Sequence, residues 1–207
     1  MGRVLILNGS PRAPKSHSRR YAQLFARACP METEYREIAR GNHGELCRAM
    51  EQADRVLLVF PLYADGLPAT LLRFLCFLEE CPPRNRPAIS VLINCGFWEP
   101  EQNDTAVDML RLFAEENGYP FGSVLKVGSG EAILDTPFRL LVQARVKRLA
   151  RAVAHGRQRV LQVTMPLPRG LFLKASTRYW EAYGRKNGLT RAQMETMDIE
   201  GPEGMPD

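Results

Sequence analysis

The sequence lacks the long apolar runs that export or anchor a chain. No stretch approaches the roughly 18 consecutive apolar residues that a membrane-spanning helix needs. The apolar run at residues 4–7 near the start has only four residues, which is too short for the core of a signal peptide, and no small-residue cleavage site follows it. We therefore expect a cytoplasmic protein without a membrane partner.

Sequence motifs of several common chemistries are also missing. The loop after the first apolar run contains neither G-x-G-x-x-G nor G-x-x-x-x-G-K-[ST]. Their absence argues against a Rossmann dinucleotide site on that strand and against P-loop nucleotide hydrolysis. The five cysteines lie mostly inside apolar segments and lack the clustering of an iron–sulfur site. We interpret them as small buried hydrophobes in a reducing compartment and expect no metal site.

Positive charge is plentiful but unevenly distributed. The formal net charge is +5, and residues 136–207 carry 13 basic and 6 acidic side chains, whereas residues 61–135 carry 5 basic and 11 acidic ones. Such a basic segment could contact nucleic acid, an anionic membrane or a phosphorylated cofactor. It contains no recognised nucleic-acid-binding motif. We interpret it mainly as a solvated helix face and expect no nucleic-acid partner.

Apolar runs of strand length alternate with segments of helical periodicity. The strands are expected at residues 3–8, 33–38, 55–60, 88–94 and 123–127, and the helices at 18–28, 43–53, 68–80, 101–117 and 136–154. Continuous rather than alternating apolar runs are typical of parallel strands covered on both faces. The pattern predicts an α/β domain over residues 1–163, a doubly wound five-stranded parallel sheet with helices on both faces. Residues 164–207, which include a helical segment at 171–183, are expected to form a C-terminal helical extension of that domain.

The loop after the first strand has the composition of a phosphate-binding site. It contains Ser10, Arg12, Ser16, His17 and Ser18, which lead into the first predicted helix. The N–H groups at a helix start lack internal partners and favour an anion, while hydroxyl groups and a guanidinium add donors. A helix cap alone requires one hydroxyl group, so we interpret this loop as a phosphate site.

Two further loops follow central strands and reach the same edge of the sheet. One contains Tyr63 and Gly66, and the other contains Gly96, Phe97 and Trp98. Aromatic rings offer flat apolar surface, and glycine permits close approach of a ligand to backbone N–H groups. For each aromatic residue, packing at the core or rim is an equal alternative. Together the three loops suit a phosphorylated planar molecule.

These residues resemble the flavin loops of the NAD(P)H-dependent FMN reductases, a group of flavodoxin-like proteins. The resemblance rests on Gly9-Ser10-Pro11-Arg12 with Ser16-His17-Ser18, on residues 61–68 and on residues 94–97, and the tail at 183–190 also resembles a subgroup ending. It implies that Ser10, Arg12, Ser16, His17 and Ser18 surround the FMN phosphate. It also implies that the isoalloxazine ring is bordered by Pro61, Leu62, Tyr63, Ala64, Asp65, Gly66, Asn94, Cys95, Gly96 and Phe97. The chain departs from the subgroup at His17, where asparagine is frequent, and at Ala64, where the residue is often bulkier.

The resemblance implies an oxidoreductase that takes electrons from NAD(P)H and passes them to a small acceptor such as a quinone, flavin, nitro or azo compound. The flavin N5 atom would carry the chemistry, so no side chain is assigned a catalytic role. A homodimer is implied by the resemblance alone. Two alternatives remain open: an FMN-binding electron carrier that does not oxidise NAD(P)H, and a flavin-free interaction scaffold.

Overall fold

The computed structural model describes residues 2–13 and 15–196. It contains one sheet of six parallel strands in the order β2-β1-β3-β4-β5-β6. The strands are β1 (Arg3–Asn8), β2 (Glu32–Glu37), β3 (Arg55–Pro61), β4 (Ala88–Asn94), β5 (Phe121–Val127) and β6 (Val160–Val163). The middle strands β1, β3, β4 and β5 are rich in Val, Leu and Ile and are almost wholly buried, as expected for strands covered on both faces.

Seven helices connect or follow these strands within the described residues. They are α1 (His17–Ala28), α2 (His43–Glu51), α3 (Ala69–Glu80), α4 (Asp104–Glu116), α5 (Arg139–Ala154), α6 (Arg169–Lys186) and α7 (Arg191–Glu195). Short 3₁₀ turns precede α4 and α5, so both helices begin three residues later than the sequence predicts. The Ser16 hydroxyl group caps α1 by accepting a hydrogen bond from the Arg19 N–H.

Helices cover both faces of the sheet. Helices α1 and α5 pack together against one face. On the other face, side chains of α2, α3 and α4, including Leu46, Phe74 and Leu110, form the largest core cluster with alternate residues of the strands such as Leu5 and Leu58. The alternation within each strand places one set of side chains in each layer. The parallel strands therefore end together at one edge, and the loops that follow them meet there.

The expected count of five strands is wrong by one. The additional strand, β6, pairs with β5 at the edge of the sheet. It has four residues with exposed, intermediate, exposed and buried side chains in turn. Such a short, half-polar segment does not give the continuous apolar signal that identifies the central strands.

The chain forms two compact units, Met1–Met165 and Pro166–Asp207. The first contains the sheet with α1 to α5. In the described part of the second, α6 and α7 form a hairpin in which only Gly184 of the longer helix is buried. A Cβ atom at Gly184 would lie 2.2 Å from the Met194 sulfur, so the two helices touch at this glycine. No helix of the described chain combines the length and the hydropathy needed to cross a bilayer.

Candidate functional site

A cleft of about 640 Å³ opens at the carboxyl edge of the sheet in the first unit. Ligand pockets of small molecules and cofactors typically occupy about 300–1,000 Å³. Three predicted loops contribute its walls, together with the first turns of α1 and one residue after β5. Its lining residues are Ser10, Arg12, Lys15, Ser16, His17, Ser18, Arg19, Arg20, Gln23, Pro61, Leu62, Tyr63, Asn94, Cys95, Gly96 and Glu131.

The cleft brings together eleven of the fifteen residues expected at the site. The four that do not line it are Ala64, Asp65, Gly66 and Phe97. Five lining residues were missed as site residues: Lys15, Arg19, Arg20, Gln23 and Glu131. Lys15 lies in the predicted phosphate loop and could have been included for its charge. The three α1 residues and Glu131 carry no local motif that could have identified them.

The first loop is folded by its own polar groups. The Ser10 N–H donates to Asn8 Oδ1 at 3.0 Å, and the Arg12 N–H donates to Ser10 Oγ at 3.3 Å. These bonds leave the side chains of Arg12 and Lys15 exposed at the cleft, and neither forms an ion pair with any described residue. Two cations therefore stand beside the N-terminus of α1, where an anion is favoured.

Ser16 is both the helix cap and a potential ligand donor. Its Oγ accepts hydrogen bonds from the Arg19 N–H at 3.2 Å and from Asn8 Nδ2 at 3.3 Å. A hydroxyl oxygen has two acceptor sites, and both are now used. The remaining Ser16 O–H proton is available to donate to an anion in the cleft.

Ser18 and Asn94 connect the first loop to the other two. The buried Ser18 hydroxyl group donates to Asn94 Oδ1 at 3.1 Å. The main-chain carbonyl oxygen of Asn94 accepts a hydrogen bond from the Leu62 N–H at 2.8 Å. One asparagine at the end of β4 thus fixes the position of the loop after β3 and of the first turn of α1. The Ser18 proton is engaged in this contact rather than directed at a ligand.

His17 lies at the cleft with an unsatisfied ring nitrogen. Its Nδ1 atom is buried and has no hydrogen-bond partner among the described residues. Burial, followed by the positive charge of Arg20, holds the pKa of His17 below its ordinary value, although Glu131 and Asp135 act in the opposite direction. The imidazole is therefore neutral near pH 7 and can donate or accept one hydrogen bond at this position.

Arg20 closes one side of the cleft through an ion pair. Its two terminal nitrogens contact the two carboxylate oxygens of Asp135 at 3.0 and 2.5 Å, a bidentate arrangement. The hydrogen bond from Arg20 lowers the pKa of Asp135 below its ordinary value. This pair connects α1 to the turn after β5 and fixes the guanidinium beside His17.

The loop after β3 forms a tight turn. Tyr63 and Gly66 exchange two backbone hydrogen bonds of 3.1 and 2.9 Å across the turn residues Ala64 and Asp65. Both turn residues have positive φ angles, 44° and 55°, as in a type I′ turn. The turn directs the Tyr63 end towards the cleft and leaves Ala64, Asp65 and Gly66 outside it. The carry-over of ring contacts to these three residues is therefore not supported by the lining of the cleft.

The loop after β4 is anchored by the loop after β5. The N–H groups of Ser129 and Gly130 donate to the carbonyl oxygens of Phe97 and Cys95 at 2.5 and 2.7 Å. Cys95 and Gly96 line the cleft, whereas the Phe97 side chain is 51% exposed outside it. Burial raises the pKa of the Cys95 thiol, so this cysteine is a neutral packing group rather than a thiolate nucleophile.

The loop after β5 passes unusually close to its neighbour. A Cβ atom at Gly128 would lie 2.6 Å from the Trp98 carbonyl oxygen, and one at Gly130 would lie 2.8 Å from the Asn94 Cβ. Only glycine permits this approach. It brings the Glu131 carboxylate to within 3.6–3.8 Å of a Cβ built on Gly96, and so places one negative charge beside Gly96 in the lining of the cleft.

The described residues contain no group of three or more His, Cys, Asp or Glu side chains placed to hold a metal ion. The cleft instead offers two unpaired cations, a free hydroxyl proton, helix N–H groups and an apolar wall. This donor set suits an organic anion with a flat apolar part.

Sheet order, helical layers and the cleft at the carboxyl edge define the flavodoxin-like class of doubly wound α/β proteins. No family model matches the sequence, and no curated protein matches it. Solved structures match the fold with probability 1.00.

Three of these structures show the extent of the likeness. A flavodoxin from Streptococcus pneumoniae TIGR4 is 18% identical with a TM-score of 0.55, and the match covers 74% of this chain and 98% of that chain. An FMN-dependent NADH-azoreductase from Bacillus anthracis, in complex with FMN, is 12% identical with a TM-score of 0.58, over 73% and 99% of the two chains. The rubredoxin oxygen:oxidoreductase of Desulfovibrio gigas is 14% identical with a TM-score of 0.58, over 75% of this chain. This chain spans only 36% of the length of that last protein.

Proposed function

We propose that this protein binds FMN in the cleft and transfers electrons from NAD(P)H to a small acceptor such as a quinone, a flavin, or a nitro or azo compound. The observation that carries the proposal is that Arg12 and Lys15, which form no ion pair with any described residue, converge with the Ser16 hydroxyl group and the N-terminus of α1 at the cleft. At neutral pH a phosphate monoester carries nearly two negative charges and accepts several hydrogen bonds.

The residues present fit FMN at both ends of the molecule. At the phosphate end, the buried Nδ1 atom of His17 has no partner among the described residues, and a ligand oxygen or hydroxyl group would satisfy it. At the other end, Leu62, Tyr63 and Cys95 supply apolar surface, and Gly96 has no side chain to exclude a flat ring. Arg12 and Lys15 would hold the phosphate, with Ser10 and Ser16 as hydroxyl partners.

When bound, FMN supplies a ring that accepts a hydride from the nicotinamide and returns electrons to the acceptor. The chain itself binds and orients. The Ser18–Asn94–Leu62 hydrogen bonds connect the three loops, and Glu131 places a negative charge beside Gly96. No side chain is assigned a catalytic role.

The fold neighbours support this choice without deciding it, since identities of 12–18% show the fold alone. Two of the neighbours that match over nearly their whole length are named a flavodoxin and an FMN-dependent NADH-azoreductase. The exposed cations at the phosphate loop and the net charge of +5 favour a protein that attracts anionic nucleotides. We further propose a cytoplasmic homodimer, with residues 1–163 as the FMN-binding domain and 164–207 as its helical extension.

Two measurements on the purified protein test the proposal. FMN is titrated into the protein and binding is followed by the change in flavin fluorescence. NADH or NADPH consumption is then followed with menadione or free FMN as the acceptor. We expect saturable FMN binding and FMN-dependent oxidation of at least one nucleotide. FMN binding without oxidation would identify an electron carrier, and no FMN binding would remove the redox assignment.

A further inference from the structure

The exposed large hydrophobic side chains fall into two groups with opposite charge surroundings. Fifteen such side chains occur among the described residues. Five lie in the acidic segment 61–135, and ten lie in the basic segment 136–207, with none before residue 61. Exposed apolar side chains indicate an interaction surface where they lie next to one another, and each segment contains one such group.

Helix α6 carries the main basic apolar surface. Tyr179, Trp180 and Tyr183 are 45%, 46% and 53% exposed, and their rings contact one another edge to face at 5.2 and 6.0 Å. We call these three residues the aromatic face. The helix has five basic residues and one acidic residue, and the acidic residue, Glu181, is paired with Arg191 of α7. An exposed helix of this length is not stabilised by propensity alone, so an unpartnered apolar face calls for a partner.

An acidic apolar surface lies beside the cleft in the first unit. Tyr63, Met109 and Leu112 are exposed there, and a Cβ atom at Gly66 would touch the Met109 sulfur at 3.7 Å, which places the turn after β3 against α4. Helix α4 has four acidic residues and one basic residue. Arg111 is paired with Asp108 at 3.6 Å, and Asp104 is paired with Lys126 of β5 at 2.6 Å. Glu115 and Glu116 form no ion pair with any described residue, so they supply most of the negative charge of this surface. We call Tyr63, Met109, Leu112 and the acidic side chains of α4 the acidic patch.

We infer that the aromatic face of one copy docks on the acidic patch of a second copy, and that the second copy returns the same contact. The inference extends the proposed homodimer by naming its two surfaces. Each surface supplies apolar side chains, and the flanking charges have opposite sign. Complementary charge of this kind fixes the register of an interface and disfavours wrong partners.

A second copy of this chain would cover both surfaces, whereas each other candidate partner would cover only one. An anionic bilayer or a nucleic acid would attract the basic helix but would leave the acidic patch without a partner. Two aromatic faces packed on each other would bring together helices of the same charge sign. A second copy of this chain presents a complement to each surface, so it would cover the three exposed side chains of the aromatic face and the three of the acidic patch.

The dimensions of the two surfaces are compatible with a stable dimer. An 18-residue helix is about 27 Å long and the 13-residue α4 is about 20 Å long. A standard interface buries roughly 800 Å² on each partner. With two-fold symmetry each copy contributes one helix and one patch, so each of these needs to bury about half of that area.

Sedimentation velocity or light scattering over a concentration series tests the inference. The wild-type chain is expected at twice its mass of 23.4 kDa, and dimerisation is expected to weaken at high salt. Replacing Trp180 with Ser should raise the dimer dissociation constant by roughly 30-fold or more, as for a central aromatic anchor. Leu140→Ser is the matched control, because Leu140 is 65% exposed on α5 outside both surfaces.

Charge reversal separates the named surfaces from other dimer contacts. Reversal of α6 alone (Arg178→Glu with Arg185→Glu) or of α4 alone (Asp108→Lys with Glu115→Lys) should weaken the dimer, and the combined variant should recover it. A dimer unaffected by Trp180→Ser and by either reversal would overturn the named surfaces while leaving the homodimer intact. A monomeric wild type at all concentrations, including one that binds anionic vesicles, would overturn both. FMN titration of the same samples reports separately on the redox proposal.

Discussion

The Ser18 hydroxyl group donates a hydrogen bond to the side-chain oxygen of Asn94, 76 positions away in the sequence. Both side chains are buried, and they join the start of α1 to the end of β4. The contact therefore couples the loop after β1 to the loop after β4, and both loops line the cleft.

Removal of this hydroxyl group is expected to destabilise the protein. Ser18→Ala would leave Asn94 Oδ1 buried without its donor, which costs about 1–3 kcal/mol. Urea unfolding followed by circular dichroism measures the loss in the free energy of unfolding. Ser176→Ala, on α6, is the matched control and should change it by less than about 0.5 kcal/mol. Equal stabilities of Ser18→Ala and wild type would show that the contact is not formed in solution.

The Arg12 guanidinium should contribute to binding rather than to folding. It forms no ion pair with any described residue, so Arg12→Ala breaks no ion pair within the described chain. We expect FMN affinity to fall by roughly 1.5–3 kcal/mol, the range for a hydrogen bond to a charged group, with little change in the unfolding midpoint. Fluorescence titration with FMN gives the affinity. Arg27→Ala, at the far end of α1, should bind FMN like the wild type; identical affinities for all three proteins would place the phosphate elsewhere.

The lowered pKa of His17 predicts a pH dependence of stability. Because burial and Arg20 disfavour the protonated ring in the folded state, the unfolded chain binds the proton more readily. The stability that the neutral His17 ring contributes is fully present above the pKa of an unfolded histidine, about 6.5, and is lost as the pH falls towards the pKa of His17 in the folded chain. As the pH falls from about 7.5 to about 5, on either side of the unfolded pKa, the free energy of unfolding should therefore decrease less for His17→Gln than for wild type.

The titration of Asp135 should be distinguishable from that of His17 in this experiment. Its own pKa is held below the ordinary carboxyl range by Arg20, so its titration lies at lower pH than that of His17. Parallel pH profiles of wild type and His17→Gln would contradict the burial of the imidazole.

The turn residue Ala64 stores local strain. Its φ of 44° is in the left-handed region, where a Cβ atom is unfavourable by about 1–2 kcal/mol. Ala64→Gly should raise the free energy of unfolding by about 0.5–1 kcal/mol, because relief of strain exceeds the added entropy of the unfolded chain. Thermal unfolding provides the comparison. Ala69→Gly, in the first turn of α3, should instead lower stability, and a loss of stability in both variants would argue against the type I′ turn.

The central strands and the cleft-forming loops could be predicted because their signals are local. Continuous apolar runs mark β1, β3 and β4, and the polar loops that follow them must meet at one edge of a parallel sheet. Strand β6 could not be found in this way, since it is held by pairing with β5 rather than by its own composition. Glu131 reaches the cleft only because Gly128 and Gly130 bring two loops into contact, and the sequence alone does not reveal that approach.

The type I′ turn at Ala64 and Asp65 could not be predicted from the sequence for a different reason. Type I′ turns usually contain asparagine, aspartate or glycine at both central positions, and alanine does not indicate one. Within this segment, residues 61–63 line the cleft, and the contact of Ala64, Asp65 and Gly66 with a flavin ring stays a prediction.

The tight contact at Gly128 and Gly130 restricts how this protein could be redesigned. Any side chain introduced at either position would collide with the backbone of residues 95–98 and displace the loop after β4, which forms part of the cleft wall. A library aimed at new ligands should keep both glycines fixed and vary Tyr63, which lines the cleft and is 42% exposed. Substitutions should therefore be directed to the rim of the cleft.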